Sequence, residues 1–280
     1  MTVFILGSIN ADLFFRVPRL PAAGETLAAE SVERGLGGKG ANMSVAAARA
    51  AARCVHLGAV GPDGAWAVER LLEYGVDTRH IATLDGPTGH AVILGDAAGE
   101  NCIVIHPGAN RALSAARLVP ALDEGGADDL FLFQNETSAQ REGAEAASAR
   151  GMRVVYAAAP FDAGAVQAVL PLVDLLVLNA VEADQLADAM GRSVETLPVR
   201  DIVVTRGAGG CDWHETDAGQ VTHVPALPVT PVDTTGAGDT FTGYLVAGLD
   251  RGMPMGQALR PATKAAALMV QRVGTADVIP

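Results

Sequence analysis

Arg153-Val-Val-Tyr-Ala157, Leu175-Leu-Val-Leu178 and Ile202-Val-Val-Thr205 decide the fold. Each is a short, continuous apolar run rather than an alternating one. A strand apolar on both faces belongs to a parallel sheet covered by helices on both sides. Helical stretches separate the three runs, near 162–170 and 180–190. Outward from this segment the pattern repeats. Val3 to Leu6, Cys54 to Val60 and Asp129 to Phe133 read as strands, and Ala41 to Ala52, Ala65 to Tyr74 and 138–150 as helices. The alternation predicts an α/β fold with a mostly parallel, Rossmann-like sheet flanked by helices. Two helices, roughly 238–250 and 255–271, follow, with Gly252 and Pro254 between them.

Two regions break the alternation. Residues 11–32 and 88–106 carry no helical period. Ala91 to Leu94 and Cys102 to His106 flank Asp96-Ala-Ala-Gly-Glu100, which reads as a hairpin, and Asp12 to Val17 adds a strand. These predict a small β-sheet lid; a pair of surface loops is the alternative. No linker or internal repeat interrupts the chain, so residues 1–280 read as one domain with a lid.

The 280 residues carry a formal net charge of -12, with 49% hydrophobic, 19% charged and 4% aromatic residues. This length buries a full core, and the apolar content excludes a disordered chain. An acidic chain with few aromatics excludes nucleic acid as a partner. Cys54, Cys102 and Cys211 are odd in number and far apart, which fits a reducing compartment. Cys211 and His214 are spaced like half a metal site, but no second half follows, and an ordinary strand pair is the alternative. The opening residues have no basic region before their apolar run, and charges interrupt every long apolar stretch. The expectation is a soluble, cytoplasmic protein with no membrane partner.

Three glycine-rich segments offer chemistry. Gly35-Leu-Gly-Gly-Lys-Gly-Ala-Asn42 contains a formal G-x-G-x-x-G, but polar Ala28 to Arg34 precedes it instead of a buried strand. Nor is it a Walker loop, because Gly40 follows Lys39. It reads as a turn opening a helix, with Gly37 and Gly38 letting a ligand approach the main chain and Lys39 and Asn42 offering polar groups to its hydroxyls or, alternatively, as a plain turn. Asp233-Thr-Thr-Gly-Ala-Gly-Asp-Thr-Phe241 also opens a helix. Gly236, Ala237 and Gly238 would present N–H groups to an anion at the helix N-terminus. Asp239 would repel that anion, so it reads as a general base or, alternatively, as a helix cap. Thr205-Arg-Gly-Ala-Gly-Gly210 ends a strand, where α/β sheets bind ligands.

Together these segments resemble the PfkB carbohydrate kinase family, and within it the ribokinase group, over nearly the whole chain. Gly7-Ser-Ile-Asn-Ala-Asp12 resembles the family's opening strand, and Gly37 to Asn42 its first signature. Gly99-Glu-Asn101 through Ile105-His-Pro-Gly-Ala-Asn110 resembles the lid strand and the loop after it. Asn179-Ala-Val-Glu182 fits the N-x-x-E motif, and Asp233 to Asp239 the second signature. The resemblance implies a ribokinase-like fold and an ATP-dependent sugar kinase, D-ribose to ribose 5-phosphate first. A nucleoside or another small sugar is the alternative substrate, and a non-catalytic sugar-binding protein the alternative class. It assigns Asn10, Asp12, Gly38, Lys39, Asn42 and Glu136 to the sugar, and Asn179, Thr205, Arg206 and Gly207 to the nucleotide. Gly236, Ala237 and Gly238 become the anion hole and Asp239 the base. Glu182 would organise Mg²⁺ through water. Asp233 and the carbonyl of Thr235 would serve a monovalent cation such as K⁺. It also implies a homodimer through the lid, with a monomer whose lid is shielded by its own loops as the alternative.

The chain departs from the family at several points. Ala157-Ala-Ala-Pro160 lacks the family's Asn, and the region between Asn179 and Thr205 is short. Thr263 stands where a His or Asn often meets adenine, and Val278 where ribokinases place a cation-binding Ser. The family usually continues into a further helix past the position of Pro280.

Overall fold

The first strand, β1 (Val3–Leu6), is buried along its whole length. Val3 and Ile5 enter one apolar cluster, Phe4 and Leu6 another. That two-sided burial sets the architecture in the computed structural model, which describes residues 1–98 and 100–280. After β1 come β2 (Asn10–Arg16), β3 (Ser31–Gly37), α1 (Lys39–Arg49), β4 (Cys54–Val60) and α2 (Ala65–Glu73). Then follow β5 (Ile81–Thr83), β6 (Gly89–Gly95), β7 (Asn101–His106), α3 (Ala115–Leu118), β8 (Leu130–Phe133) and α4 (Gln140–Ala149). The remainder is β9 (Arg153–Ala157), α5 (Ala163–Val169), β10 (Leu175–Asn179), α6 (Ala180–Met190), β11 (Asp201–Thr205), β12 (Cys211–Glu215), β13 (Gln220–Val224), α7 (Ala237–Asp250) and α8 (Met255–Met269).

Among the described residues the main sheet has nine strands, in the order β13-β12-β11-β10-β9-β8-β1-β4-β5. From β11 to β5 every pairing is parallel. The hairpin β12–β13 adds an antiparallel edge. Helices α1, α2, α7 and α8 pack on one face and α3 to α6 on the other. Phe131, Phe133 and Tyr156 stack under the second layer, with ring centroids 5.6 and 4.6 Å apart. Burying each such side chain contributes about 1.5–3 kcal/mol. The expected parallel sheet with helices on both faces is present.

Cys211 and His214 belong to β12, whose side chains alternate between faces. The two therefore point to opposite sides of the sheet and form no metal half-site. Among the described residues no cluster of three metal-ligating side chains occurs.

The lid is a second sheet, β3-β2-β6-β7. It differs from the expectation in extent. Residues 17–30 contain no strand, whereas Ser31–Gly37, which runs past the expected lid boundary at 32 and into the segment read as a Gly-rich turn, is a strand pairing antiparallel with β2. The hairpin of β6 and β7 is present, with Gly99 of its turn outside the described residues. Register separates the apolar positions onto two faces. Asp12, Phe14, Ala91, Ile93, Ile103 and Ile105 share one; Leu13, Phe15, Val92, Leu94 and Val104 share the other. A Cβ added at Gly7 or Gly40 would run into the other residue's backbone, so glycine alone lets the end of β1 touch the start of α1.

Candidate active site

Helix α7 begins at Gly236, which has φ 75 and gives the helix no side-chain cap. Of its first N–H groups, that of Ala237 donates to the Thr234 carbonyl at 3.3 Å, whereas that of Gly238 has no acceptor among the described residues, which suits an anion. Asp239 lies in that first turn and does not cap it. Its carboxylate is buried, and Asn42 Nδ2 donates to Asp239 Oδ2 at 2.9 Å. Between the two sequence readings, the cap is removed. Burial pushes the Asp239 acid up from its ordinary value; the Lys39 ammonium and the Asn42 bond oppose this, and Glu136 adds to it.

Lys39 opens α1 directly after Gly38, whose φ is 92. Its ammonium is raised first by Asp239 and then by Glu136 and Glu182, against the effect of burial. So α1, α6, α7 and the segment after β8 bring one cation and three carboxylates together at the C-terminal ends of the parallel strands. That end is where open α/β sheets bind ligands.

Asp12 enters from the lid. Burial, and then the charge of Glu136, push its carboxyl up to about 7. Asn10 Oδ1 accepts from Asn110 Nδ2 at 2.8 Å, and Asn110 Oδ1 accepts from the Ile9 N–H at 2.9 Å. Asn110 thus fastens the loop after the lid to the base of β2. Sequence reasoning gave it no role, although it lies within the quoted lid motif.

The nucleotide-side candidates show more local duties. Asn179 Oδ1 accepts from the Glu182 N–H at 2.9 Å, and Glu182 Oε2 accepts from the Asn179 N–H at 2.8 Å. The N-x-x-E motif is thus a capping box for α6, a signal legible in the sequence and missed there. Burial raises the Glu182 acid, and the Asn179 bond opposes it. Thr205 Oγ1 donates to the Leu178 carbonyl at 3.4 Å. Arg206 Nε donates to Asp212 Oδ2 at 2.5 Å, so its guanidinium is turned along the β11–β12 hairpin. Gly207 begins a short turn with φ 54. Asp233 accepts the Thr235 N–H on one oxygen at 2.9 Å and the Gly274 N–H on the other at 3.1 Å. The Thr263 hydroxyl donates to Leu259 of its own helix at 2.8 Å.

A model of the pfkB family of carbohydrate kinases matches residues 2–280. The chain is 33% identical to the ribokinase of Haemophilus influenzae, covering all of this chain and 95% of that one. It is 30% identical to the deoxyribokinase of Salmonella typhi, covering all of this chain and 96% of the other. Among solved structures, Arabidopsis thaliana ribokinase complexed with ribose and ATP superposes with a TM-score of 0.88 at 28% identity, covering all of this chain and 95% of that one. With family signatures, fold and full-length similarity in agreement, the chain belongs to the pfkB family of carbohydrate kinases.

Proposed function

We propose that the protein transfers the γ-phosphate of ATP to a hydroxyl of D-ribose, giving ribose 5-phosphate. One observation carries this reading: a buried carboxylate, Asp239, in the first turn of a glycine-capped helix, held by Asn42 and faced by Lys39. A carboxylate beside an anion site has no use as an anion ligand. It serves as the acceptor for the proton of the attacking hydroxyl.

In this reading Asn10, Asp12, Gly38, Lys39, Asn42 and Glu136 hold the sugar. The N–H groups at Gly236 and Gly238 receive the phosphate charge, that of Ala237 being engaged by the Thr234 carbonyl at 3.3 Å. Asp239 takes the hydroxyl proton, the hydroxyl oxygen bonds to the γ-phosphorus, and the bond to the bridging oxygen of ADP breaks. Burial makes ionised Asp239 a stronger base, while Lys39 keeps it ionised. Asn179, Thr205 and Gly207 line the nucleotide, with Arg206 contributing backbone because Asp212 holds its side chain.

Mg²⁺ supplies charge neutralisation on the phosphates. Glu182 fits a water-mediated role toward it: Oε2 is engaged in the capping box, and Oε1 accepts no hydrogen bond among the described residues. A monovalent cation fits less well. Both Asp233 oxygens accept backbone N–H groups, and Val278 brings no donor, so no step here involves one.

The ribokinase relatives support ribose, and the Salmonella deoxyribokinase makes 2-deoxyribose the second candidate. The lid also carries a second proposal. Its outer face exposes Val104 at 64% and Val32 at 58%, beside Leu13, Phe15 and Val92. A second copy of the same face covers such a surface, giving a homodimer through the lid.

ADP release, followed with ribose, 2-deoxyribose, inosine or no acceptor, tests the function. Turnover is expected with ribose above the others. Turnover on inosine but not ribose overturns the substrate; no acceptor-dependent ADP at all overturns the kinase.

A further inference from the structure

Ser8 is fully buried between β1 and β2, and its hydroxyl has three partners. The Gly40 N–H donates to Ser8 Oγ at 3.3 Å, and Gln134 Nε2 donates to it at 3.2 Å. Both lone pairs are thereby engaged by N–H donors. The hydroxyl has one proton left to give, and its remaining partner is Glu136 Oε2. The direction of that bond is therefore fixed: Ser8 donates and Glu136 accepts.

Glu136 Oε2 also accepts the Lys39 N–H at 3.3 Å. Gln134, itself fully buried, holds the other end of the same residue, its Oε1 accepting the Glu136 N–H at 2.5 Å. Glu136 is thus clamped at its backbone and at one carboxylate oxygen. Among the described residues its second oxygen, Oε1, accepts no hydrogen bond. A half-buried carboxylate with one oxygen unused is an acceptor for a ligand hydroxyl.

We infer that Ser8 and Gln134 are positioning residues for sugar selection: they fix Glu136 so that one oxygen is spent inside the protein and the other is kept for a sugar hydroxyl. The inference rests on the reading that Glu136 holds the sugar. Neither side chain hydrogen-bonds Asn179, Thr205, Arg206 or Gly207, so the larger effect of their loss is expected on the sugar. In Ser8→Ala only the longer Lys39 N–H bond at 3.3 Å still holds Oε2, and Glu136 samples orientations that a sugar must reorder on binding.

The test measures KM for ribose, KM for ATP and kcat in Ser8→Ala, Glu136→Ala and the double variant. Ser8→Ala is expected to raise the ribose KM about tenfold, with kcat and the ATP KM within about twofold. In the Glu136→Ala background, Ser8→Ala is expected to add less than about twofold, because it acts through Glu136. If Ser8→Ala cannot be obtained folded, Gln134→Met reads the same split. A full, additive effect in the Glu136→Ala background overturns the inference, as does an equal loss in the ribose and ATP constants. If Glu136→Ala leaves the ribose KM unchanged, the sugar reading of Glu136 itself is overturned.

Discussion

Two buried carboxylates, one in the main sheet and one in the lid, are treated in opposite ways. Asp201 of β11 is 4% exposed and has donors on both oxygens: Trp213 Nε1 at 2.8 Å on Oδ1 and Arg153 Nη2 at 2.8 Å on Oδ2. Asp12 of β2 is 7% exposed, and its carboxylate accepts no hydrogen bond among the described residues. Its neighbour across the cleft is another acid, Glu136. A buried charge without donors costs free energy unless something else supplies them. The main sheet satisfies its acid internally and gains order. The lid leaves its acid wanting hydroxyl donors, which is what a sugar brings.

The contrast breaks first at Asp201. Asp201→Ala leaves the Trp213 N–H and a partly buried guanidinium without their acceptor. The expected cost is about 3 kcal/mol, seen as a fall in Tm of several degrees, at roughly 2–4 °C per kcal/mol for a chain this size. An unchanged Tm would remove the structural role.

The lid acid should behave in the reverse sense. Its carboxyl stands at about 7 in the folded protein, against 3.8 ordinarily. Between those values the folded state keeps a proton that the unfolded state has released. Wild-type stability contributed by this group is therefore present at low pH and lost as pH rises to about 7. Asp12→Asn never ionises. It should be more stable than wild type at pH 8, by up to about 4 kcal/mol, and no more stable near pH 4. Ribose affinity should fall in the same variant. A Tm gain equal at both pH values contradicts the assignment.

The smallest effect on folding is expected on the outer lid face. Val104→Asp should halve the mass seen by light scattering while leaving Tm nearly unchanged, since Val104 packs into neither core cluster. A variant retaining the dimer mass, or a wild type that is monomeric at all concentrations, removes the lid interface.

The same two regions differ in how much of them the sequence displays. The parallel strands announce themselves because burial on both faces leaves uninterrupted apolar runs such as Leu175 to Leu178. In the lid only β6 and β7 carry such runs, Ala91 to Leu94 and Cys102 to Ile105, and they read as a hairpin; β3 carries none. Strand β3 reads Ser-Val-Glu-Arg-Gly-Leu-Gly and is exposed over most of its length, so composition points to a loop. Which lid residues share a face depends on the pairing of β2 with β6, distant in sequence, and so Leu13 and Ile103 could not be separated. In the site, the glycine turns and Asp239 were visible as motifs. The roles of Ser8, Gln134 and Asn110 were not, because each depends on a hydrogen bond to a residue about 100 or more positions away, even though Gln134 also holds the Glu136 N–H locally. The Asn179–Glu182 capping box was local and could have been read from spacing alone.

The central claim is that Asp239 accepts the proton of the attacking hydroxyl, and Asp239→Asn tests it most directly. Asparagine keeps the shape and the bond to Asn42 while removing the basic oxygen. The prediction is a fall in kcat of about 10²–10⁴, with ribose and ATP affinities largely kept. A variant that retains more than about half of wild-type kcat, with chemistry shown to be rate-limiting, contradicts it.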